Sequence, residues 1–326
     1  MAKARAILKR RKAVRNIRKI TKTMQMIATV KFQRSMKRDV GTKPYTLKVR
    51  QLVQELAASV GDIPHPLLRR VTEEDRTNRL ALIVITSNRG LAGAYNGSIL
   101  RTAARFIREQ EAAGKQVDLC VSGKKGISHF NFKKRHITQR YDRFADDPSY
   151  ADVEKVASCF LDQFVNKQID AVHVAYMDFI STSTQKPAVL TLLPLAGIHE
   201  VAEHLARNVA ERESQARAGT MNADHSGENV RVEAAIAGEV TYDFSPGPRE
   251  LLDYLLPLAV KTALFQCFLD AVTSESVARM VAMKSATDNA DKMIKSLTMR
   301  YNRARQSQIT TELSEIMGGV EAMKVR

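Results

Sequence analysis

Residues 279–304 read RMVAMKSATDNADKMIKSLTMRYNRA, and their spacing decides the fold. Met280, Met283, Thr287, Ala290, Ile294, Leu297, Tyr301 and Ala304 recur at alternating steps of three and four. These are heptad a and d positions, which line one seam of a helix wound against another helix. Beyond Pro257 neither proline nor glycine occurs before Gly318. A helix from Arg249 to about Gly318 would be on the order of 100 Å long, more than a domain-internal helix needs. The stretch therefore reads as a rod, with Met280 and Met283 as adaptable seam filler.

A rod with one apolar seam needs a partner, and the other end of the chain supplies one. Ile7, Val14, Ile17, Met24 and Ala28 continue the same spacing, with Ala13, Ile20 and Ile27 along the adjacent edge. Arg10 and Lys31 take seam positions too, so the stripe is too narrow for a globular core and suits a two-helix coil. Gly41 and Pro44 predict a bend, since proline removes a donor and crowds the preceding turn. The pattern resumes through Leu47, Leu52, Val53 and Leu56 and stops at Gly61 to Pro66.

The formal net charge of +16 resides in this first segment. Residues 1–50 hold seventeen Lys and Arg against one acid, Asp39, and the rest of the chain balances at thirty-four of each sign. Such an arm faces either nucleic acid or an acidic protein surface. No apolar run reaches the roughly twenty residues that span a bilayer, and the basic start lacks a secretory h-region. An Arg-rich transit peptide is the remaining reading of that start.

From Arg79 the period changes. Leu80 to Ile85 is a continuous apolar run of a strand buried on both faces. Strands follow at Val117 to Val121, near Ile137 to Tyr141, at Ala171 to Tyr176 and at Val189 to Leu193. Helices precede Gln110 and run from Asp152 to Lys167. This alternation predicts an open, Rossmann-like α/β sheet with right-handed crossovers. Glu203 to Arg217 reads as helical and Gly219 to Gly227 as a polar loop. The expected organisation is a coiled-coil helix over 1–62, an α/β domain over 63–247 with a mobile insertion near 200–235, and a coiled-coil helix over 248–326. Folding the two ends on each other as an antiparallel coil satisfies both stripes.

Catalytic patterns are missing. Gly90 and Gly93 follow a strand without GxGxxG spacing, and Gly123-Lys124-Lys125-Gly126 is not GxxxxGK[ST]. Cys120, Cys159 and Cys267 are far apart and form no CxxC, which reads as three thiols in a reducing compartment. The seven histidines show no HExxH, and Ser87 has no GxSxG elbow. No cofactor, metal or catalytic residue is expected.

Four dispersed motifs carry a resemblance. Ile309 to Ala322, ITTELSEIMGGVEA, resembles the C-terminal signature of the gamma subunit of F-type ATP synthases, with Val320 where the family usually has alanine. Arg279 to Ala290 and Tyr301 to Gln306 are similar to its upstream helix, and Ile20 to Ala28, ITKTMQMIA, to its first-helix motif. Ser87 to Asn96 resembles its Ser-Asp-Arg-Gly-Leu-Cys-Gly loop, with Asn88 for Asp and Ala92 for Cys. Those two exchanges speak against an acid or thiol function there.

The resemblance implies a rotor shaft, not catalytic by itself. It implies partners in the alpha and beta subunits of the catalytic ring, the epsilon subunit and the c-subunit ring at the membrane, and no nucleic acid. It places Lys19, Lys22 and Met24 near an acidic loop of beta and Arg279 opposite acids of a beta catch. Arg305, Gln306, Thr310 and Glu312 match positions on the facing helix that touch the same region or support coupling. The basic first helix then belongs to the mature shaft, which implies a peripheral protein on the cytoplasmic side of a bacterial plasma membrane. No paired thiols of the chloroplast kind occur. A basic coiled-coil nucleic-acid-binding protein, and a nucleotide-dependent enzyme built on the central sheet, are the alternatives from other classes.

Overall fold

The run Leu80–Ile85 becomes the middle strand of a five-stranded sheet in a computed structural model of the chain, which describes residues 2–60, 65–68, 76–141, 144, 147–194 and 247–324. Strands β1 (Arg79–Ile85), β2 (Gln116–Ser122), β3 (Gln139–Tyr141), β4 (Ala171–Phe179) and β5 (Gln185–Leu193) lie in the order β3-β2-β1-β4-β5. β1 pairs in parallel with β2 and with β4, β2 in parallel with β3, and β5 closes the edge antiparallel to β4. β1 is central in the sheet and helices pack on both of its faces, so it is buried from Leu80 to Ile85.

Side chains alternate across the sheet, and each face has its own helices. Ala81, Ile83 and Ile85 join Val172, Val174 and Tyr176 in one large core with α4 (Tyr150–Val165), whose Val153, Val156, Ala157, Phe160 and Phe164 are buried. The opposite face is covered by α2 (Tyr95–Ala112), through Ile99, Ala103 and Ile107 at one-turn spacing, and by α3 (Lys124–Phe132). The polar stretch after β2 thus contains a helix that its sequence pattern does not announce. α3 has two buried residues, Gly126 and Phe130, too few to produce a periodic signal.

The two long helices are α1 (Ala2–Val60) and α5 (Pro248–Lys324). Helical assignment continues through Gly41 and Pro44, where the sequence predicts a bend. Around the missing proline donor, the Thr42 and Thr46 hydroxyls donate to the carbonyls of Arg38 and Thr42. At the other end, α5 extends past Gly318 and Gly319 to Lys324.

By internal contacts the chain divides into two compact units, and both long helices contribute to each. One unit comprises residues 34–90 and 94–275; the other comprises 1–33, 91–93 and 276–326. In the first, α5 is a core helix. Leu252, Leu256, Val260, Leu264, Phe268 and Leu269 are buried against the sheet and α4. Among the described residues α5 is the one helix long and apolar enough to cross a membrane, and 72% of its apolar window is buried inside the protein. Polar groups hold α1 to α5 here, with buried Asp39 accepting a hydrogen bond from the Gln266 side chain. Ser274 donates to the Met177 carbonyl at 3.3 Å, fixing α5 to the end of β4. The tract 200–235, expected to be a mobile insertion, lies outside the described residues.

Candidate functional site

The second unit contains every residue that the sequence nominates for partner binding. Its centre is an antiparallel coil. Val14 packs with Ala290 and Leu297, flanked by Ile7 and Ile294. Of the eight seam residues on α5, Met283, Thr287, Ala290 and Leu297 are buried and the other four half-buried, as the heptad pattern requires.

On α1 the seam runs differently from the expected one. Ile17, Ile20 and Ile27 are 53%, 58% and 55% exposed, and Arg10 and Lys31 are exposed as well. The positions facing α5 are Ile7, Arg11, Val14, Arg18, Thr21, Gln25 and Ala28, a stripe turned by one residue at every second step. Cross-helix pairing explains the choice. The Arg11 guanidinium lies 5.1 Å from the centroid of the Tyr301 ring, and Arg18 pairs with Asp291. Long cationic side chains can lay their methylene stems along a seam while their heads reach solvent. Thr21 and Thr287 then meet inside, 2.9 Å apart.

The pairs Arg11 with Tyr301, Arg18 with Asp291 and Thr21 with Thr287 fix the antiparallel register. At 1.5 Å per residue, Ser276–Lys324 spans about 73 Å and Ala2–Gln33 about 48 Å, so α5 outruns its partner. From Ile309 to Val320 every residue of α5 is exposed, and Ile309, Leu313, Ile316, Met317 and Val320 form an apolar stripe of helical spacing along it.

The loop after β1 contributes residues 91–93 to this unit. Gly93 has φ +56°, and a Cβ there would stand 3.8 Å from the Ala282 Cβ. Ala92 is buried, so a small apolar side chain suffices where the resembled loop has cysteine. Within the α/β unit, the Asn88 side-chain oxygen accepts the backbone N–H of Lys124 at 3.1 Å, a cap that an aspartate could equally provide. Neither exchange disturbs the local structure.

The nominated residues do not form one site. Lys19 and Lys22 are exposed on α1 and Met24 is half-buried. Arg279 is half-buried on α5, about 39 Å of helix from Arg305. Arg305 shares a groove of about 430 Å³ with Arg5, Lys9, Lys12, Tyr301 and Gln308, while Gln306 is exposed on the same turn. Thr310 donates to the Gln306 carbonyl at 3.0 Å, and Glu312 accepts from Gln308 at 2.8 Å. The arrangement is a set of patches along a rod. It suits simultaneous contact with several partners better than chemistry on one substrate.

A coil of N- and C-terminal helices joined to a mostly parallel α/β unit defines a stalk-type protein. Comparison with known proteins specifies the kind. The sequence profile described as ATP synthase matches residues 3–323. A protein of Rhodopirellula baltica called ATP synthase gamma chain is 41% identical over 324 residues, covering 99% of this chain and all of the relative. The ATP synthase gamma chain of Leptospira biflexa is 36% identical over 323 residues, again covering 99% of this chain and all of the relative. A chain in the rotational-state-3 OSCP/F1/c-ring structure of Euglena gracilis mitochondrial ATP synthase has a TM-score of 0.59 at 18% identity, over 99% of this chain and 95% of that one. A chain in the rotor structure of the same enzyme has a TM-score of 0.55 at 16% identity, over 94% of this chain and 99% of that one. The chain belongs to the gamma-chain family of the ATP synthases. Gamma chains are non-catalytic rotor subunits, and ATP chemistry takes place in the beta subunits.

Proposed function

We propose that this chain couples ion flow through a membrane ring of c subunits to the catalytic cycle of three beta subunits. In this reading the coil stands inside the ring of alpha and beta subunits, and the α/β unit docks with the epsilon subunit and the c ring. Turning the coil changes which face each beta subunit meets. Each orientation favours one beta conformation through differential contact energy, so rotation drives binding, synthesis and release in turn.

The observation that carries the reading is the outward apolar stripe of the coil. Ile17, Ile20, Met26 and Ile27 on α1 are exposed although α5 is paired beside them, and Ile309, Leu313, Ile316, Met317 and Val320 are exposed where α5 runs beyond α1. Exposed apolar residues grouped along a helix face in this way mark a protein interaction surface. The exposed cations Lys19, Lys22 and Arg305 add attraction to an acidic beta surface without locking one orientation, because solvent-exposed pairs are worth only about 0–1 kcal/mol each. Arg279, Gln306, Thr310 and Glu312 complete the contact set. On this reading the protein is peripheral to the cytoplasmic face of a bacterial plasma membrane.

Co-purification from the native membrane tests the assembly. Stoichiometric recovery with alpha and beta subunits is expected, and recovery as a lone nucleic-acid-binding species would refute it. Coupling is tested by Arg279→Ala in the assembled complex. Assembly should persist while ATP turnover, or the ion gradient formed per ATP hydrolysed, falls severalfold; unchanged turnover and coupling would remove Arg279 from the mechanism.

A further inference from the structure

A second basic feature lies on the α/β unit, in residues the rotor reading does not use. α2 and α3 border an open cleft of about 730 Å³, within the size range of small-ligand sites. Arg101, Arg105 and Arg108 reach it from one face of α2, His129 from α3, and Lys133 and Arg135 from the loop after α3. Among the described residues no aspartate or glutamate lines it. Two nearby acids pair with cations of the cleft: Glu111 holds Arg135, whose guanidinium draws the Glu111 carboxyl below its usual range, and Glu109 lies 3.8 Å from Arg105 in an exposed i,i+4 pair that an anion can replace. Among the described residues Arg108 and Lys133 have no ion-pair partner.

Placing arginines at i, i+4 and i+7 on one helical face is unfavourable, because like charges at these spacings repel. The repulsion is relieved when an anion occupies the space between them. Arg101 to Arg108 covers about 10 Å along the helix axis, more than one phosphoryl group can bridge. Guanidinium forks match phosphate oxygens two at a time, and the cations here come from both walls of the cleft. Ser98, which accepts from Arg101 at 3.2 Å, and the Glu111 pair hold two of these forks in place without filling the cleft.

We propose that the cleft between α2 and α3 binds a polyphosphate anion, either the phosphate chain of a nucleotide or a free inorganic polyphosphate. Arg105, Arg108 and Lys133 make the principal contacts, and Arg101 and Arg135 close the ends. The site is independent of the surface assigned to the catalytic ring.

The experiment titrates the full chain with inorganic tripolyphosphate and, separately, with ATP, reading heat and amide hydrogen exchange. Saturable binding that weakens as salt rises is expected, with new protection on α2 and residues 124–135. Arg108→Glu combined with Lys133→Glu should weaken it at least tenfold, and Arg108→Gln severalfold. Lys155→Glu, an exposed cation of α4 outside the cleft, should leave it unchanged. Tighter binding of ATP than of tripolyphosphate would support the site as nucleotide-directed, and equal binding would support it as a site for phosphates alone. Absence of saturable binding, protection confined to α1, insensitivity to the cleft variants, or binding of phosphatidylglycerol vesicles without tripolyphosphate would each overturn the proposal.

Discussion

Thr21 and Thr287 meet across the coil with their hydroxyl oxygens 2.9 Å apart, both buried. The Thr21 hydroxyl is also 3.1 Å from the Arg18 carbonyl and that of Thr287 2.8 Å from the Met283 carbonyl. Each hydroxyl has one proton to donate, and the helix carbonyls supply enough acceptors for both. With Arg11 on Tyr301 and Arg18 on Asp291, the contact sets the register of the two helices.

Thr287→Val keeps the shape and removes one hydroxyl, so the coil should lose about 1 kcal/mol of local stability. Thr21→Val should cost a similar amount. Together they should cost less than the two added, because the second change no longer deprives a buried partner. Hydrogen exchange at the α1 and α5 amides flanking the pair measures this. Strictly additive losses would mean that the two hydroxyls do not interact.

A second prediction concerns the α/β unit. Gly123 ends β2 at φ +94°, and a Cβ there would lie 2.1 Å from the Thr86 carbonyl oxygen. Gly114, at φ +77°, has open space around it. Both substitutions to alanine strain the backbone by about 1 kcal/mol or more, but only Gly123→Ala adds a collision with main chain that cannot move aside. Gly114→Ala should lower the thermal midpoint slightly. Gly123→Ala should prevent accumulation of soluble protein or drop the midpoint by many degrees; equal midpoints would contradict the close approach.

His173 predicts a pH dependence. Its ring packs against Phe106 with centroids 4.8 Å apart, and its Nδ1 lies 3.2 Å from the Thr191 hydroxyl. Burial, aided by the charge of Lys115, lowers its pKa to about 4. The unfolded chain takes up the proton first, near the ordinary value of about 6.5. Stability from the neutral ring is therefore complete above that value and is lost as pH falls toward 4, by about 3 kcal/mol. His173→Gln should flatten this part of the curve. Denaturant midpoints of both proteins between pH 7 and pH 4 provide the comparison, and parallel curves would exclude His173 as the cause.

What the sequence reveals of this fold depends on how much of each element is buried. β1 is legible because both faces are covered and every residue from Leu80 to Ile85 is apolar. α5 is legible because its coil residues alternate cleanly between seam and solvent. α3 is not, since two buried residues make no period. The α1 seam is misread by one residue at alternate steps because apolar character there does not follow the buried face. Ile17 and Ile20 are apolar and exposed, while Arg11 and Arg18 are charged and face α5. The cleft between α2 and α3 is likewise hidden in sequence. Arg101, Arg105 and Arg108 read as a solvated helix face until the loop carrying Lys133 and Arg135 is placed opposite them. The expectation that Arg279 and Gln306 contact a partner rests on family resemblance alone, since no spacing rule marks either residue.

The exposed isoleucines of α1 separate folding from assembly. Neither Ile17 nor Ile20 contributes to the buried seam, so changing both to serine should alter the stability of the isolated chain by no more than about 0.5 kcal/mol each. If these side chains face the alpha and beta ring, the same double substitution should weaken assembly, because each replacement leaves a polar group against an apolar partner surface. Unfolding of the free chain and its yield in complex with alpha and beta subunits are the two measurements. A loss of stability in the free chain with unchanged assembly would place Ile17 and Ile20 in the coil seam after all, and would return the α1 pairing to the frame of Ile7, Arg10, Val14 and Ile17.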